Sequence, residues 1–586
     1  MPTWRLHPWQ EEARGSESKQ GPGDTGARPA AGGAARGAAA RGAARGAESS
    51  GSPTTGSPGG GGRGRRAARG AGPVMGSPAL YLGLDVGTQS VKAGLWEVEA
   101  GSEAHPVSLG RSELDVQRPR EGAAEQDPDA WLAAARAAVR SALRHAGPRA
   151  AQRVAAVGVS GQQHGLVAVD ADGRPVRPCK LWCDTESHAE AAMLSAKLGT
   201  TFGPAFTASK LLWLARHEPD AWSRTTSFLL PKDYVNLYLT GRRCTECSDA
   251  SGTGLLDVAN RRWLSPSQLE DLLPGLTDRL PDLLGPDEAV GHLRAEVAQE
   301  WGLGEGCVLV SPGGGDNAMA ALGAGCVREG QAVISLGTSG TLFCCSPRPV
   351  LDPVSAINNF CDATGFWLPL LCTMNCTAPV QEVKQLWSEA GSSDNDGLLE
   401  EQAMHVPPGC DGVNFLPYLG GERTPDWPHA SGSLLGLRPG QLQRLPLIYR
   451  AAMEGASFAL KNAYERSANQ EHFPPFKELR AVGGGSNSGL WCQILADTFG
   501  VPVVKIEEHE NLETEAAARG AAVQAAAVAA GMPVGEFVRG IQVAIKPEKW
   551  EPQACNAAKY SEAYLRHRRL GERLFAESRP VSGSGE

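Results

Sequence analysis

The chain has 586 residues, 41% of them hydrophobic and 21% charged, and a formal net charge of −9 at pH 7. This length predicts more than one domain, and the composition is that of a soluble globular protein. No uninterrupted run of about 20 apolar residues occurs and the net charge is acidic, so we expect neither a membrane span nor nucleic-acid binding.

The first 78 residues differ from the rest of the chain. They are rich in Gly, Ala, Ser, Pro and Arg and hold 11 Lys or Arg against 5 Asp or Glu, whereas the remaining chain holds 45 against 60. Such a segment has too little apolar surface to offset its ordering entropy, so we predict a disordered extension over 1–78. A transit peptide for organellar import and a translation start at Met75 are alternatives, although three glutamates among the first 17 residues oppose the transit peptide. Residues 576–586 are predicted to form a flexible tail.

The 14 cysteines are scattered along the chain. Spacings such as Cys244–Cys247 and Cys372–Cys376 lack the second pair or the nearby histidines that a zinc site needs. We therefore expect reduced thiols and a cytoplasmic protein.

The ordered part begins with "ALYLGLDVGTQSVKAGLWEVEA" at 79–100, which reads as strand, Gly-Thr turn and strand, a β-hairpin. A helical pattern at 128–147 and an apolar strand pattern at 153–170 follow, which predicts an α/β fold. At 330–346, "GQAVISLGTSGTLFCCS" repeats the strand, Gly-Thr turn and strand. Two such hairpins about 250 residues apart suggest duplicated domains that face a shared ligand.

Glycine-rich turns follow several strands. "SPGGGDNAMAALGAG" at 311–325 and "AVGGGSNSGLWCQILADTFGVPV" at 481–503 both lead from a strand into a helix. Such turns suit phosphate binding, because amide donors and a helix N-terminus converge on the anion, although a plain turn is the alternative for each one. Asp316 follows the first run of glycines, and we expect Gly313 to Gly315 to let a phosphate approach the backbone. The helix N-terminus is expected to lower the pKa of Asp316.

The order of these segments resembles the FGGY carbohydrate kinases. "GLDVGTQSVK", "GVSGQQHG", "LWCDTES", "LLPKDYVNLYLTG", "SDASGTGLLDV", "GGGDNA", "ISLGTSG", "FLPYLGGERTP" and "VGGGSNS" stand in that family's order, and the resemblance is greatest to its xylulose kinases. The resemblance implies two ribonuclease H-like domains of the actin and sugar kinase superfamily around a cleft. The implied domains are 79–327, which binds sugar, metal and phosphate, and 328–575, which binds ATP.

The resemblance also implies the site. Asp316 matches the catalytic aspartate that accepts the proton of the attacking sugar hydroxyl, and Asp85 matches a ligand of the Mg²⁺ that accompanies ATP, although a hairpin acid bonded to local amides is the alternative for Asp85. The residues implied to contact ATP are Gly87, Thr88, Gln89, Gly337, Thr338, Ser339, Gly484, Gly485 and Asn487.

For the sugar, the resemblance points to Gln163, His164, Asn317 and Asp316 itself. The family usually has Met where Gln163 stands, which leaves the sugar preference open. Trp182 and Asp184 are further candidates, with a core tryptophan and an internal ion pair as the alternative.

Lys232 and Asp233 are also candidates for the sugar pocket, with an internal ion pair as the alternative. No chemistry is assigned to Glu422 and Arg423. The implied reaction is ATP-dependent phosphorylation of D-xylulose at its 5-hydroxyl. Another ketopentose, such as ribulose or deoxyxylulose, and a non-catalytic nucleotide-gated module are the alternatives, and a homodimer is left open.

Overall fold

The computed structural model describes residues 78–199, 201–304, 307–350, 357–389, 396–506, 516–541 and 545–576. All of them belong to one compact unit of the chain. The predicted extension before Pro78, with Met75, and the predicted tail after Ala576 lie outside the described residues.

The strands are numbered in chain order. They are β1 Leu80–Val86, β2 Ser90–Glu97, β3 His105–Glu113, β4 Glu125–Gln126, β5 Val154–Gly161, β6 Val167–Val169, β7 Cys179–Lys180, β8 Ser227–Leu229, β9 Cys244–Glu246, β10 Leu256–Asp257, β11 Arg262–Trp263, β12 Asp282–Leu284, β13 Gly291–His292, β14 Leu309–Val310, β15 Gly314–Gly315, β16 Gln331–Leu336, β17 Gly340–Cys344, β18 Asn358–Cys361, β19 Trp367–Thr373, β20 Asn414–Leu416, β21 Ser433–Leu435, β22 Glu478–Val482, β23 Val503–Ile506 and β24 Ile545–Trp550.

The helices are numbered in the same way. They are α1 Pro128–Ala146, α2 Ala150–Arg153, α3 His188–Leu198, α4 Thr207–His217, α5 Pro219–Arg224, α6 Pro231–Thr240, α7 Cys247–Ala250, α8 Pro266–Leu272, α9 Ala295–Trp301, α10 Asp316–Gly323, α11 Thr377–Glu389, α12 Asp396–Met404, α13 Leu445–Ala468, α14 Gly489–Phe499, α15 Ala516–Ala529, α16 Val534–Gly540 and α17 Ala554–Phe575.

Two mixed sheets share one pattern of strands. In the first sheet the order is β13-β14-β5-β1-β2-β3, with β15 also paired to β5, and in the second it is β18-β19-β17-β16-β22-β23-β24. Each sheet has a hairpin, β1–β2 or β16–β17, whose first strand lies parallel to a later strand, β5 or β22. The repeated order confirms both predicted hairpins, the α/β class and the duplication.

Local sequence explains where α1 begins and which face it buries. Asp127 is the N-cap, since its side chain accepts from the backbone N–H of Asp129 at 3.0 Å, and Pro128 fills the first turn without losing a hydrogen bond. Trp131, together with alanines spaced three and four residues apart, forms the buried face. The predicted helix is confirmed.

Helix α15 packs on the first sheet, although in sequence it lies between β23 and β24 of the second sheet. A Cβ on Gly83 of β1 would lie 1.8 Å from the carbonyl oxygen of Ala518, and one on Gly158 of β5 would lie 2.1 Å from that of Ala521. Glycine is therefore needed where α15 crosses these strands. One hydrophobic cluster contains buried residues of α15, α10 and both sheets, so a shared core joins the two halves.

No single helix in the described part of the chain is both long and apolar enough to cross a membrane. One pair bent by 113°, Ala516–Ala529 with Val534–Gly540, passes that test by length and composition alone.

Candidate active site

Strand register brings the two candidate acids to one edge of the first sheet. Asp85 of β1 is paired with Ser160 of β5, and Ser160 is paired with Gly314 of β15, two residues before Asp316. The Ser160 hydroxyl donates to Asp85 Oδ1 at 3.1 Å, and Lys92 Nζ lies 4.0 Å from Asp85 Oδ2. Asp85 thus contacts the side chains of Ser160 and Lys92, whereas the alternative expected a hairpin acid bonded to local amides.

Asp316 is the first residue of α10, and one of its two carboxyl oxygens accepts hydrogen bonds from the protein. Oδ1 accepts from the backbone N–H of Asn317 at 2.8 Å and from Asn317 Nδ2 at 2.9 Å, whereas Oδ2 accepts from no described residue. Burial, followed by the negative charge of Asp85, raises the pKa of Asp316 to about 7, against the lowering effect of the Asn317 hydrogen bonds. The expected lowering by the helix N-terminus is outweighed, so that prediction is wrong in direction.

The glycines before Asp316 make close contacts with protein groups. A Cβ on Gly313, whose φ is +71°, would lie 2.0 Å from the carbonyl oxygen of Val159, and one on Gly315 would lie 2.3 Å from Gln163 Nε2. The structure thus gives these glycines a packing role, which differs from the predicted role of opening the backbone to a phosphate.

Helix α15 holds this loop in place. The Gln524 side chain accepts from the backbone N–H of Gly313 at 2.8 Å and donates to its carbonyl at 2.9 Å. Gly520 of α15 and Gly323 of α10 allow the two helices to cross closely, because a Cβ on either would lie 1.9 Å from a carbonyl oxygen of the other helix. Sequence reasoning missed Gln524, since a single glutamine in an alanine-rich run gives no signal.

His164 and Gln163 lie just beyond the end of β5, near Asp316. His164 has φ 66°, a strained value for a residue with a Cβ. Its Nδ1 donates to the Gly252 carbonyl at 2.6 Å, and its ring contacts Phe206 and, from the second sheet, Phe360. Burial, aided by the charge of a nearby lysine, lowers the pKa of His164 to about 3, so the ring is neutral and Nε2 is a hydrogen-bond acceptor.

Gln163 and Asn317 are bonded to each other. Asn317 Nδ2 donates to Gln163 Oε1 at 3.1 Å, and Gln163 Nε2 donates to the Ser248 carbonyl at 3.5 Å. Hydrogen bonds of Asn317 therefore link Gln163 to Asp316, whereas the His164 ring contacts Gly252 and two phenylalanines, and the predicted sugar contacts of these residues stay predictions.

Trp182 and Asp184 lie in different surroundings. Trp182 is 46% exposed and donates from Nε1 to Thr88 Oγ1 at 3.0 Å, so the alternative of a core tryptophan is wrong. Asp184 is fully buried, and its Oδ2 accepts from Lys180 Nζ at 3.0 Å and from the Ala124 N–H at 2.9 Å. These contacts match the predicted alternative of an internal ion pair for Asp184, and we leave it out of the proposed sugar site.

The turn of the first hairpin contains Gly87, Thr88 and Gln89, and two glutamine side chains hold it by hydrogen bonds to Thr88. The Thr88 hydroxyl donates to Gln162 Oε1 at 3.0 Å, and Gln126 Nε2 donates to the Thr88 carbonyl at 2.7 Å. Gln126 and Gln162 were missed by sequence reasoning, because glutamines that position a turn have no fixed spacing.

The candidate ATP turns of the second sheet follow β16 and β22, which are adjacent and parallel, so both turns lie at the same edge. After β16, Thr338 is exposed between Gly337 and Ser339, and the carbonyls of Gly337 and Thr338 accept from the start of α11.

After β22, Gly484 and Asn487 are exposed, and a Cβ on Gly484 would meet no atom within 4 Å. Gly485 instead packs on Leu336, and Asn487 Oδ1 accepts from Lys505 Nζ at 2.8 Å. Open backbone with a nearby cation is suited to an anionic nucleotide, and Lys505 was missed by sequence reasoning.

Lys232 and Asp233 belong to a buried charge cluster beneath Asp316. Lys232 Nζ forms an ion pair with Asp233 and lies 3.8 Å from Asp249 Oδ2, and all three side chains are fully buried. Glu246 accepts from the Ser248 hydroxyl at 2.6 Å, and that hydroxyl accepts from the Gly315 N–H at 3.3 Å. The cluster thus supports the loop before Asp316, and the ion-pair alternative fits Lys232 and Asp233.

Glu422, to which the sequence assigned no chemistry, organises backbone. Its Oε1 accepts from the N–H groups of Met374 at 2.7 Å and Arg423 at 2.8 Å. The Arg423 side chain donates to Asn358 Oδ1 at 2.8 Å.

Comparisons with known proteins agree with this architecture. The N-terminal domain of the FGGY family of carbohydrate kinases matches residues 80–323 and its C-terminal domain matches 332–529. The chain is 37% identical to a xylulose kinase of Haemophilus influenzae over 76% of this chain and 90% of that protein, and 36% identical to one of Escherichia coli K12 over 72% and 85%. A crystal structure described as a xyloylose kinase from Brucella ovis superposes with a TM-score of 0.75 at 37% identity, covering 85% of this chain and all of that one. The chain belongs to the FGGY family of carbohydrate kinases.

Proposed function

We propose that the protein transfers the γ-phosphoryl group of ATP to the 5-hydroxyl of D-xylulose, giving D-xylulose 5-phosphate and ADP. Relatives named xylulose kinase that are 36–37% identical over most of their length support this substrate. The observation that carries the chemistry is Asp316, whose Oδ2 accepts no hydrogen bond from the described residues and whose pKa is raised to about 7 by burial and by Asp85.

Asp316 is the proposed base. Its Oδ2 accepts the proton of the sugar hydroxyl while the sugar oxygen forms a bond to the γ-phosphorus. The bond between the γ-phosphorus and the bridging oxygen breaks at the same time, and this oxygen leaves with ADP. Phosphoryl transfer passes through a loose transition state, so alignment contributes more than basicity. A pKa near neutral nevertheless matches the base to its working pH.

Mg²⁺ enters with ATP as part of the substrate, and the acid pair fits a cation. Burial and the charge of Asp85 raise the pKa of Asp316, so a cation held by Asp85 would offset that repulsion. We assign Asp85 to the metal. The proposed ATP contacts are Gly87, Thr88, Gln89, Gly337, Thr338, Ser339, Gly484, Gly485 and Asn487.

The sugar is proposed to contact His164 Nε2 as an acceptor and Asn317 and the 163–164 backbone near Asp316. Trp182, exposed beside Thr88, is a further candidate. A buried polar group that the wrong epimer leaves unpaired costs about 1–3 kcal/mol, which is enough to rank related ketopentoses.

The test is ADP release measured with D-xylulose, D-ribulose, 1-deoxy-D-xylulose, xylitol and no sugar. We expect the largest kcat/KM for D-xylulose. A higher value for ribulose or deoxyxylulose would move the proposal to that sugar, and ADP release independent of any sugar would favour the nucleotide-gated module. Asp316→Asn in the same assay separates a true sugar kinase from a contaminating ATPase.

A further inference from the structure

The side chain of Gln163 has both of its polar atoms engaged with protein. Oε1 accepts from Asn317 Nδ2 at 3.1 Å, and Nε2 donates towards the Ser248 carbonyl at 3.5 Å. The residue is 5% exposed, and the absence of a Cβ on Gly315 makes room for its amide. Gln163 is therefore built into the loop before Asp316.

Asn317 has two amide hydrogens, and each has one acceptor. One goes to Gln163 Oε1 and the other to Asp316 Oδ1 at 2.9 Å. If the Asn317 amide turned over, its oxygen would face the oxygens of both neighbours, which neither could satisfy. The Gln163 acceptor thus adds to Asp316 Oδ1 in favouring the orientation in which Asn317 donates to Asp316.

We infer that Gln163 is a positioning residue, which orients the Asn317 amide so that Asp316 Oδ1 is held by two donors and Oδ2 is left for the sugar hydroxyl. This inference rests on the proposed role of Asp316 as base. It gives the Gln163 side chain the role of positioning that base through Asn317, so that only the Gln163 backbone is proposed to contact the sugar. A methionine at this position would supply only a weak sulfur acceptor.

Charged groups near Asp316 must be considered before a change in its pKa is interpreted. They come from β1 and β2, from α6, from β9 and from α7: Asp85, Lys92, Lys232, Asp233, Glu246 and Asp249. On α15, Arg519 donates to Gly323 at the far end of α10, and His164 beside the loop is neutral. A neutral substitution at 163 leaves all of these charges in place, so a change in the pKa of Asp316 would not come from a change of charge.

The first test is Gln163→Met, with exposed Gln299→Met on α9 as the matched control. We expect kcat to fall about 3- to 10-fold and the KM for the sugar to stay within about 2-fold, the effect of losing one neutral hydrogen bond. The apparent pKa of the acidic limb in the pH profile of kcat/KM should rise by about 0.3 to 1. A rise in KM with an unmoved limb would assign Gln163 to the sugar and overturn the inference.

A double-mutant cycle tests the route through Asn317. In an Asn317→Ala background, Gln163→Met should change kcat less than 2-fold, because the group it orients is gone. Effects that multiply independently would overturn the inference. If Gln163→Met does not fold, Gln163→Leu removes the same acceptor and takes its place in both tests.

A third measurement separates this inference from the proposed function. The Asp316 carboxyl is titrated by ¹³C NMR in aspartate-labelled protein, with Asp316→Asn to assign its signal. We expect a higher pKa in Gln163→Met than in the unsubstituted protein whichever sugar is phosphorylated. An unchanged titration overturns the inference even if D-xylulose is the substrate, and Asp316→Asn with full turnover overturns the base assignment alone.

Discussion

Gln524 binds both backbone polar groups of Gly313, accepting from its N–H at 2.8 Å and donating to its carbonyl at 2.9 Å across 211 residues of sequence. The same Oε1 accepts from the Ser311 hydroxyl at 3.1 Å. Gln524 lies in the segment that matches the C-terminal FGGY domain, and Gly313 lies in the segment that matches the N-terminal one. The loop that presents Asp316 is thus fixed by the other half of the chain.

Gln524→Leu should therefore impair both stability and turnover. Buried polar groups of Gly313 left without a partner cost about 1–3 kcal/mol each, and a loosened loop lowers kcat more than it raises KM. Urea unfolding and steady-state kinetics measure the two effects, with exposed Gln299→Leu as the control. A free energy of unfolding within about 0.5 kcal/mol of that of the unsubstituted protein would contradict the stabilising role of the Gln524–Gly313 hydrogen bonds.

The pH dependence follows from the raised pKa of Asp316, about 7. A base must be ionised, so kcat/KM should rise about tenfold per pH unit below this value and level off above it. Mg-ATP near Asp85 offsets the repulsion that raises the pKa, so the limb of kcat with saturating substrates should lie at lower pH than that of kcat/KM. A kcat/KM limb near the ordinary aspartate value of about 4 would show that the pKa of Asp316 is not raised in the free enzyme.

The sequence predicted the two hairpins and helix α1, because these features depend on local patterns. The family resemblance pointed to Gln163 and Asn317 beside Asp316, which the structure joins by hydrogen bonds, while the role of these residues and of His164 towards a sugar stays a prediction. It predicted the wrong direction for the pKa of Asp316, since burial raises this pKa and strand register adds the nearby charge of Asp85.

The sequence also could not show what each polar side chain contacts. Asp184 forms a buried ion pair with Lys180, Trp182 is exposed, and protein atoms lie close to the glycines before Asp316. Asp184 pairs with Lys180 four residues away, but the contacts of Trp182 with Thr88 and of Gly313 with Val159 join groups that are distant in sequence, for which no spacing rule exists.

Lys232→Met should be strongly destabilising. Lys232 is fully buried and compensates the ionised forms of Asp233, Glu246 and Asp249, and burial raises the pKa of each of these three carboxyls against its effect. Removing one partner of a buried ion pair costs about 3–5 kcal/mol. Thermal unfolding should show a large fall in Tm that partly recovers at acid pH, where the remaining carboxyls are protonated. Exposed Lys559→Met is the control, and an equal effect of both variants would refute the cluster's role.

Asp316→Asn separates catalysis from binding. The variant keeps shape and hydrogen-bonding reach but removes the proton acceptor, so kcat should fall about 10²–10⁴-fold while calorimetric affinities for ATP and sugar stay within a few-fold. It also removes a buried charge that Asp85 repels, so Tm at pH 8 should not fall.

Asp85→Asn is the matched carboxylate change on β1, and its effect should differ from that of Asp316→Asn. Because Asp85 is assigned to the metal, the variant should raise the Mg²⁺ concentration needed for half-maximal rate as well as lower kcat. It should also move the acidic limb of kcat/KM to lower pH, because the negative charge that raises the pKa of Asp316 is gone. If Asp316→Asn keeps most of its kcat, or abolishes sugar binding with no separate effect on turnover, the base lies elsewhere and the glycines before Asp316 serve only the turn.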